Sequence, residues 1–291
     1  MYLDLKLIKK IIKYYQYENE SALYKFFYFL NRFRHKLSFF LFNYFKFMDT
    51  NYRKNNYNIN WKNSKKNYVK WFNRTIKDDL HFDYLKNNYF FSSTGILNRI
   101  WLSCIYKFLQ KKKINKVLEI GSGIGTNIFF LASFFPKKKF YGLELTTIGT
   151  NIAKNILKKK IKDEIYFGFP IKPSRKILNN CNFQSGNAKK IKYKDNSFEL
   201  VFSLTALENM DHIKNEVINE MIRVSSKYII FIEPFTDCNT NILKKLHHRG
   251  SQYFNLSINE LRKFPLKIIS IEKEVVQKIS LSHLIVICEK I

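Results

Sequence analysis

A glycine-rich turn between an apolar strand and a helix constrains the fold of this 291-residue chain more than any other segment. The strand is predicted over Lys116–Ile120, the turn runs from Gly121 to Gly125, and a helix is predicted over Thr126–Phe135. Glycine suits such a turn because it adopts positive backbone angles and lets a ligand lie against bare backbone. A strand, a glycine turn and a helix in this order predict the first unit of an α/β sheet.

The spacing of the glycines excludes two common nucleotide motifs. The dinucleotide fingerprint G-x-G-x-x-G needs a glycine where this chain has Thr126. A phosphate-binding P-loop needs Gly-Lys-Ser/Thr, which is absent from the turn. The pattern is instead E-x-G-x-G-x-G, and it begins at Glu119.

The chain after this turn alternates strands with helices. A helix is predicted over 147–161 and another over His212–Val224. Such alternation predicts a parallel sheet that is covered by helices on both faces. The further strands are predicted at Phe140–Leu145, Cys181–Gln184, Phe198–Ser203, Tyr228–Glu233, 266–276 and 282–289.

A second chemical signal is Glu144, at the end of the second predicted strand. It follows Gly125 by 19 residues. A carboxylate at the end of this strand can accept hydrogen bonds from both hydroxyls of a ribose. The turn and this acid together indicate a nucleoside-containing ligand.

On these residues the chain resembles the class I S-adenosylmethionine-dependent methyltransferases, in particular their small-molecule branch, the type 11 group. The first motif of that family reads E/D-x-G-x-G-x-G and matches Glu119, Gly121, Gly123 and Gly125. The acid that ends the family's second strand matches Glu144. The resemblance implies that S-adenosylmethionine is the cofactor, with its methionine part at the turn and its ribose at the acid.

Two further motifs extend the resemblance. Gly186-Asn187-Ala188 matches the family's Gly-Asp-Ala, which contacts adenine. Asn187 departs from the usual Asp, but its amide oxygen can still accept from the adenine amine. The segment Asp195–Met210 matches the fourth motif, where the backbone after the fourth strand faces the cofactor, and this assigns Leu204 to the cofactor site.

The resemblance covers about 110–291 and implies the fold class. We expect an α/β, Rossmann-like sheet of seven strands in the order 3-2-1-4-5-7-6, with the last strand antiparallel. The domains are predicted as a helical N-terminal extension over 1–60, a linker and lead-in helix over 61–110, and the methyltransferase domain over 111–291.

The reaction is a displacement at a sulfonium methyl, so the protein mainly aligns the reactants and in some cases removes a proton. Glu208, Asp211 and His212 follow the fourth strand, and we take Glu208 and His212 as the catalytic candidates. Ser203-Leu-Thr-Ala206 stands where enzymes that methylate bases or glutamine amides carry Asn/Asp-Pro-Pro-Tyr/Phe. The expected acceptor is therefore an oxygen or nitrogen of a small-molecule or glycan-type metabolite.

The N-terminal part is predicted to be mainly helical. Apolar residues recur at helical spacing over 8–15 and 23–33, and an aromatic-rich stretch spans Leu37–Phe47. Residues 49–67 are polar and without period, which predicts a linker or extended loop. From Thr94 an amphipathic helix leads into the first strand.

The large aromatic residues on these helices need another surface to pack against. If they were left in solvent, they would form an unusually large apolar patch. We expect them to pack on the core as a lid over the cofactor side; another subunit and a membrane surface are the alternatives. These aromatic residues are Phe26, Phe27, Phe33, Phe39, Phe40, Phe42 and Phe45.

The net charge of +28 leaves other partners open without selecting one. The charge is spread evenly, with +13 before residue 111 and +15 after it, and 42 Lys stand against 9 Arg. Arginine is the side chain that reads phosphates and bases in pairs of hydrogen bonds, and it is scarce here. A lipid or quinone methyltransferase at a membrane surface, an RNA methyltransferase and a non-catalytic cofactor-binding domain remain alternatives.

Cysteine spacing and hydropathy complete the expectations. The four cysteines form no Cys-x-x-Cys pair, which predicts neither a metal site nor disulfides and suits the reducing cytoplasm. The longest uncharged run between Leu23 and Met48 has nine residues, too few for a membrane span. We expect a cytoplasmic protein with peripheral membrane contact left open; the sequence does not indicate an oligomeric state.

Overall fold

The computed structural model describes residues 2, 4–15, 22–43, 48–64, 80–85, 88–272, 277–278 and 281–291. Its centre is a sheet of seven strands. Sequence periodicity located these strands to within a few residues. Their bounds are Lys116–Ile120 (β3), Lys139–Glu144 (β4), Cys181–Ser185 (β5), Phe198–Leu204 (β6), Ser225–Glu233 (β7), Leu266–Glu272 (β8) and Leu284–Lys290 (β10).

The strand order confirms the predicted fold class. The sheet runs β5-β4-β3-β6-β7-β10-β8, which is 3-2-1-4-5-7-6 in chain order. Strands β3 to β7 pair in parallel, whereas β10 is antiparallel to both β7 and β8. The fold is therefore a Rossmann-like α/β sheet with an antiparallel last strand.

Helices cover both faces of this sheet, as the apolar strands require. One face packs against the helices over 94–111, 126–134 and 147–157, and the other against those over 214–224 and 258–261. Neighbouring residues such as Ile229 and Ile230 point to opposite faces, and both are fully buried. The helix bounds are Thr94–Lys111 (α4), Thr126–Phe134 (α5), Thr147–Leu157 (α6), Lys214–Val224 (α7), Ile242–Gly250 (α8) and Ile258–Leu261 (α9).

The N-terminal helix α1 spans Leu5–Tyr15 and packs on α4. Its predicted apolar face is confirmed at Ile8 and Ile11, which are fully buried. Lys107 of α4 forms an ion pair with Asp4 at 3.3 Å. The first helix is thus part of the main core.

Helix α2, Ala22–Asn43, contacts α8 but leaves part of its apolar surface in solvent. Phe27 is 58% exposed and Phe42 is 79% exposed, so the expectation that these rings pack on the core is wrong for both. Phe33 and Phe40 are half-buried. The side chains of Phe26, Phe39 and Phe45 lie outside the described residues.

The prediction of a linker or loop over 49–67 is wrong for Thr50–Ser64, which forms helix α3, while 65–67 lie outside the described residues. The predicted domain boundary after residue 60 therefore falls inside a helix. Arg53, Tyr57 and Trp61 recur at every fourth residue and form the inward stripe of α3. A stripe that mixes a cation with aromatic rings produces no apolar periodicity, which explains the failure.

A small three-stranded sheet was also not anticipated. It consists of β1 (Leu80–Leu85), β2 (Asn88–Ser93) and β9 (Gln277–Lys278), in the order β2-β1-β9. Strand β2 ends where α4 begins. The sheet therefore joins the N-terminal part to the segment that precedes β10.

Candidate functional site

The carboxyl ends of the parallel strands border a cavity of about 490 Å³. This edge is the usual ligand site of open α/β sheets. The cavity is also lined by α3 and by residues just before β10. Of the residues predicted for the site, Glu119 and Gly125 lie outside the lining; those that line the cavity are Gly121, Gly123, Glu144, Asn187, Ala188, Leu204, Glu208 and His212.

The turn after β3 requires glycine at three places. Gly121, Gly123 and Gly125 have φ of 72°, 54° and 83°, in the left-handed region. A Cβ at Gly121 would lie 2.4 Å from the Cβ of Ala206, and one at Gly125 would lie 2.6 Å from the ring of Phe183. The turn therefore packs tightly against the sheet at Gly121 and Gly125, whereas a side chain of the separate helix α3 lies next to the backbone of Gly123.

Glu119, at the end of β3, lies fully buried behind the turn. Its Oε1 accepts a hydrogen bond from Asn127 Nδ2 at 2.7 Å, while its Oε2 has no partner among the described residues. Burial raises the pKa of Glu119 to about 8. In the turn itself, Ser122 Oγ is likewise buried without a hydrogen-bond partner in the described part of the chain. Unpaired oxygen atoms beside glycine backbone suit a polar ligand.

Glu144, at the end of β4, is buried and accepts four hydrogen bonds. Thr146 donates its backbone N–H at 3.0 Å and its hydroxyl at 2.7 Å to Oε1, and Gly123 donates its N–H to Oε2 at 3.0 Å. The indole Nε1–H of Trp61 donates to Oε1 at 3.2 Å. The carboxylate thus joins the glycine turn, the start of α6 and the covering helix α3.

Asn187 and Ala188 follow β5 at one side of the cavity. Asn187 is half-buried, and its Oδ1 accepts the backbone N–H of Lys189 at 3.1 Å. The oxygen considered for adenine is therefore already engaged in a local turn. Ala188 is buried and provides an apolar surface.

Glu233, at the end of β7, organises the loop after β6 and was missed by the sequence reasoning. Its Oε1 accepts the N–H groups of Ala206 and Leu207 at 3.1 Å each, and its Oε2 accepts that of Glu208 at 3.0 Å. Burial and the charge of Glu208 raise the pKa of Glu233 to about 8, although the three donors favour its ionised form. An acid that ends a third strand, after Glu119 and Glu144, is the signal that could have found it.

Glu208 faces a histidine that the sequence reasoning also missed. His283 Nε2 lies 3.5 Å from Glu208 Oε2, and both side chains are largely buried in the cavity wall. The His283 ring packs on Trp101 with 4.8 Å between centroids. His283 reaches this place because Leu284, the first residue of β10, pairs with Glu233 at the end of β7.

His212, the other catalytic candidate, contacts the N-terminal part. Its Nε2 lies 2.6 Å from the hydroxyl of Thr50 in α3. Partial burial and the nearby charge of Arg53 lower the pKa of His212. Both effects favour the neutral imidazole, whose Nε2 contacts α3 through Thr50.

Neither a metal-binding cluster nor a membrane-spanning helix is found in the described part of the chain. Within it, no group of three or more His, Cys, Asp or Glu residues is arranged to hold a metal ion. Among the described helices, none combines the length and apolarity that crossing a membrane requires.

Comparison with known proteins identifies the region around this site. A protein family described as a methyltransferase domain matches residues 111–262, just over half of the chain. The [4+2]-cyclase SpnF has a similar structure, with a TM-score of 0.53 and 12% identity over 79% of this chain and 92% of that chain. The PH0226 protein of Pyrococcus horikoshii OT3 has a TM-score of 0.50 and 18% identity over 68% and 92% of the two chains. At these identities the likeness to both structures concerns the fold alone.

Proposed function

Because the chain belongs to this methyltransferase family and is an S-adenosylmethionine-dependent enzyme, we propose that it methylates an oxygen or nitrogen of a small-molecule acceptor. The observation that carries the proposal is the Glu208–His283 pair. It lines the same cavity as the glycine turn, at the carboxyl end of the central strand β6. A reacting group held there would lie beside the cofactor.

The cavity offers groups that suit the parts of the cofactor. The glycine turn, with Ser122 and the buried Glu119 behind it, would hold the methionine part. Glu144 would hold the ribose, and Asn187, Ala188 and Leu204 would border the adenine side. S-adenosylmethionine, when bound, supplies a methyl group on a positively charged sulfur. A lone pair of the acceptor can bond to this methyl carbon while the carbon–sulfur bond breaks and the sulfur leaves.

Glu208 and His283 are proposed to handle the acceptor's proton. Their facing atoms are 3.5 Å apart, so one acceptor oxygen or nitrogen can lie within about 3 Å of both. One of the pair accepts the proton as the acceptor's lone pair attacks, and the other stabilises the charge that forms. Glu233 orients Glu208 through the backbone of the loop.

The cavity favours a small acceptor over RNA. Its volume of about 490 Å³ lies in the range of small-molecule sites, and aromatic rings of Tyr57, Trp101 and Tyr253 line it. Two of the nine arginines are engaged in hydrogen bonds inside the protein. Arg99 donates to the carbonyls of Ile165 and Phe167, and Arg53 donates to that of Ser251.

Glu208→Gln should lower kcat about 100-fold or more, since a positioned acid or base typically contributes this much. Affinity for S-adenosylhomocysteine should stay within about twofold, because the cofactor is not proposed to touch Glu208. The assay incubates the protein with S-adenosylmethionine carrying a labelled methyl group and a small-molecule extract, and it follows label in the product. His212→Ala is the comparison variant and should retain most of the turnover.

Two outcomes would contradict the proposed acceptor chemistry. Label that enters RNA or phospholipid, with none in the small-molecule fraction, would reject the acceptor class. Full turnover in Glu208→Gln would reject the role of the pair. SpnF, a [4+2]-cyclase, shows that a similar fold serves another reaction. If this chain binds S-adenosylhomocysteine tightly but transfers no label to any fraction, the result would favour a reaction other than methyl transfer.

Helix α2 favours a second candidate, a lipid acceptor at a membrane surface. Phe27, Leu30, Leu37 and Leu41 are exposed, and their successive spacings of three, seven and four residues put them on one face. Arg34 lies between Leu30 and Leu37 on the same face of α2, where its exposed side chain can contact anionic headgroups. An exposed apolar stripe with a basic residue is typical of helices that lie in the membrane interface.

On this second candidate, the protein should co-sediment with vesicles of phosphatidylcholine containing about one third phosphatidylglycerol. Leu41→Ser with Phe42→Ser should reduce the bound fraction severalfold, because both side chains are exposed apolar groups. High salt should weaken binding as well. A wild-type chain that stays in the supernatant at low salt would reject the membrane candidate.

A further inference from the structure

Helix α3 lays one aromatic side chain across the glycine turn. Trp61 is buried, and two carbons of its six-membered ring would lie 3.0 Å from a Cβ placed at Gly123. Its Cδ1 would lie 3.1 Å from a Cβ at Gly149, near the start of α6. The indole therefore covers the bare backbone against which a ligand of this family would lie.

The same indole donates a hydrogen bond to Glu144, the carboxylate expected to bind the ribose. Two carboxylate oxygens offer about four acceptor positions. Four donors already point at Glu144, three from Thr146 and Gly123 and one from Trp61 Nε1. Three of these donors, the two of Thr146 and that of Trp61, share Oε1, which has two lone pairs, so a ribose hydroxyl can gain a good hydrogen bond to Oε1 only where one of them withdraws.

Trp61 is the donor that can withdraw at the lowest cost. The Gly123 N–H belongs to the turn itself, and the Thr146 hydroxyl also caps α6 by accepting from the N–H of Gly149 at 3.1 Å. Moving either would distort the sheet edge. Trp61 comes from a separate helix, which no strand pairing fixes in place.

We propose that Trp61 and the ribose hydroxyls of the cofactor are alternative ligands of Glu144. The contact of Trp61 with Glu144 closes the ribose subsite, and cofactor binding displaces the indole. Trp61 thereby sets the rate and affinity of cofactor binding. This inference rests on the cofactor of the family and is independent of which acceptor the enzyme methylates.

The remaining contacts of α3 show which part of it would move. The N-terminal half is fastened to the loop after β6 and to the end of α8. Arg53 donates to Asn209 Oδ1 at 2.7 Å and to the carbonyl of Ser251 at 2.6 Å, and Thr50 contacts His212. Trp61 lies two turns further along, near the end of α3, where Tyr57 stacks on it at 5.7 Å. An outward shift of this second half can release the indole while the first half stays in place.

Trp61→Phe tests the proposal, because it keeps a ring on α3 and removes the N–H that binds Glu144. Binding of S-adenosylhomocysteine to the full chain is followed by calorimetry and by stopped-flow fluorescence. We expect the association rate to rise about fivefold, the dissociation rate to change little and the Kd to fall about fivefold, the effect of one lost hydrogen bond. Ile59→Ala, on the exposed side of the same helix, is the matched control and should leave both rates unchanged.

The opposite role of Trp61 would give a distinct result. If the indole instead packs on the bound cofactor, Trp61→Phe speeds dissociation and weakens binding. Weaker or unchanged affinity in a variant whose thermal unfolding matches wild type would overturn the competition between Trp61 and ribose. Failure of the acceptor assay would leave this binding test unaffected, so the two proposals can fail separately.

Discussion

Gly123→Val is expected to raise the Kd for S-adenosylhomocysteine at least about 100-fold while the domain still folds. The φ of Gly123 is 54°, which a β-branched residue adopts only with strain, and the new side chain would fill the space above the turn. The nearest neighbours of an added Cβ are ring carbons of Trp61, which can shift with α3. Calorimetry measures the Kd, and thermal unfolding measures the remaining stability.

Gly125→Val is the matched control for this substitution. Its Cβ would lie 2.6 Å from the ring of Phe183 and 3.0 Å from that of Phe129, both buried in the main core. We therefore expect Gly125→Val to lower the unfolding temperature strongly, in contrast to Gly123→Val. A folded Gly123→Val protein with wild-type affinity would show that the cofactor does not lie on this turn.

Glu233→Ala is expected to lower the free energy of unfolding by about 3 kcal/mol or more, because three N–H groups, two of them buried, lose their acceptor. These donors belong to Ala206, Leu207 and Glu208, so turnover should fall as well. Urea unfolding measures the stability. Glu233→Gln should fall between wild type and alanine, since it retains one carbonyl oxygen for two of the donors.

The pH dependence of the free energy of unfolding shows how much the ionisation of Glu233 contributes, apart from the hydrogen bonds that its side chain accepts. Its pKa is raised from 4.5 to about 8, so between these values the folded state binds more protons than the unfolded state. The contribution of Glu233 to stability is therefore present below pH 4.5 and declines as the pH rises to about 8. Glu233→Gln should remove this part of the decline. An unchanged slope over that range would contradict the raised pKa.

Features carried by local chemistry were correctly predicted from the sequence. The glycines of the β3–α5 turn can be recognised in the sequence, because glycine adopts φ of 54° to 83° more readily than any other residue. Apolar runs located the strands, since a parallel sheet is buried on both faces. The strand order 3-2-1-4-5-7-6 followed from the family resemblance and is confirmed.

The prediction that the N-terminal aromatic helices form a lid over the cofactor side was partly wrong, for a physical reason. The large aromatics of α2 attracted attention, yet Phe27 and Phe42 are exposed. The helix that covers the site is α3, from a segment rich in Asn and Lys that lacks apolar period. Only contacts with distant residues stabilise such a helix, and local pattern does not reveal them.

The sequence alone determined the α/β class, the position of the glycine turn and the acid Glu144 at the end of β4, because each depends on neighbours within a few residues. The tertiary structure decided which distant groups meet there. His283 reaches Glu208 through the antiparallel pairing of β10, Glu233 reaches the loop after β6 across the sheet, and Trp61 reaches Glu144 over 83 residues. Contacts between residues so far apart depend on strand order and helix packing, so they become visible only when the whole chain has folded.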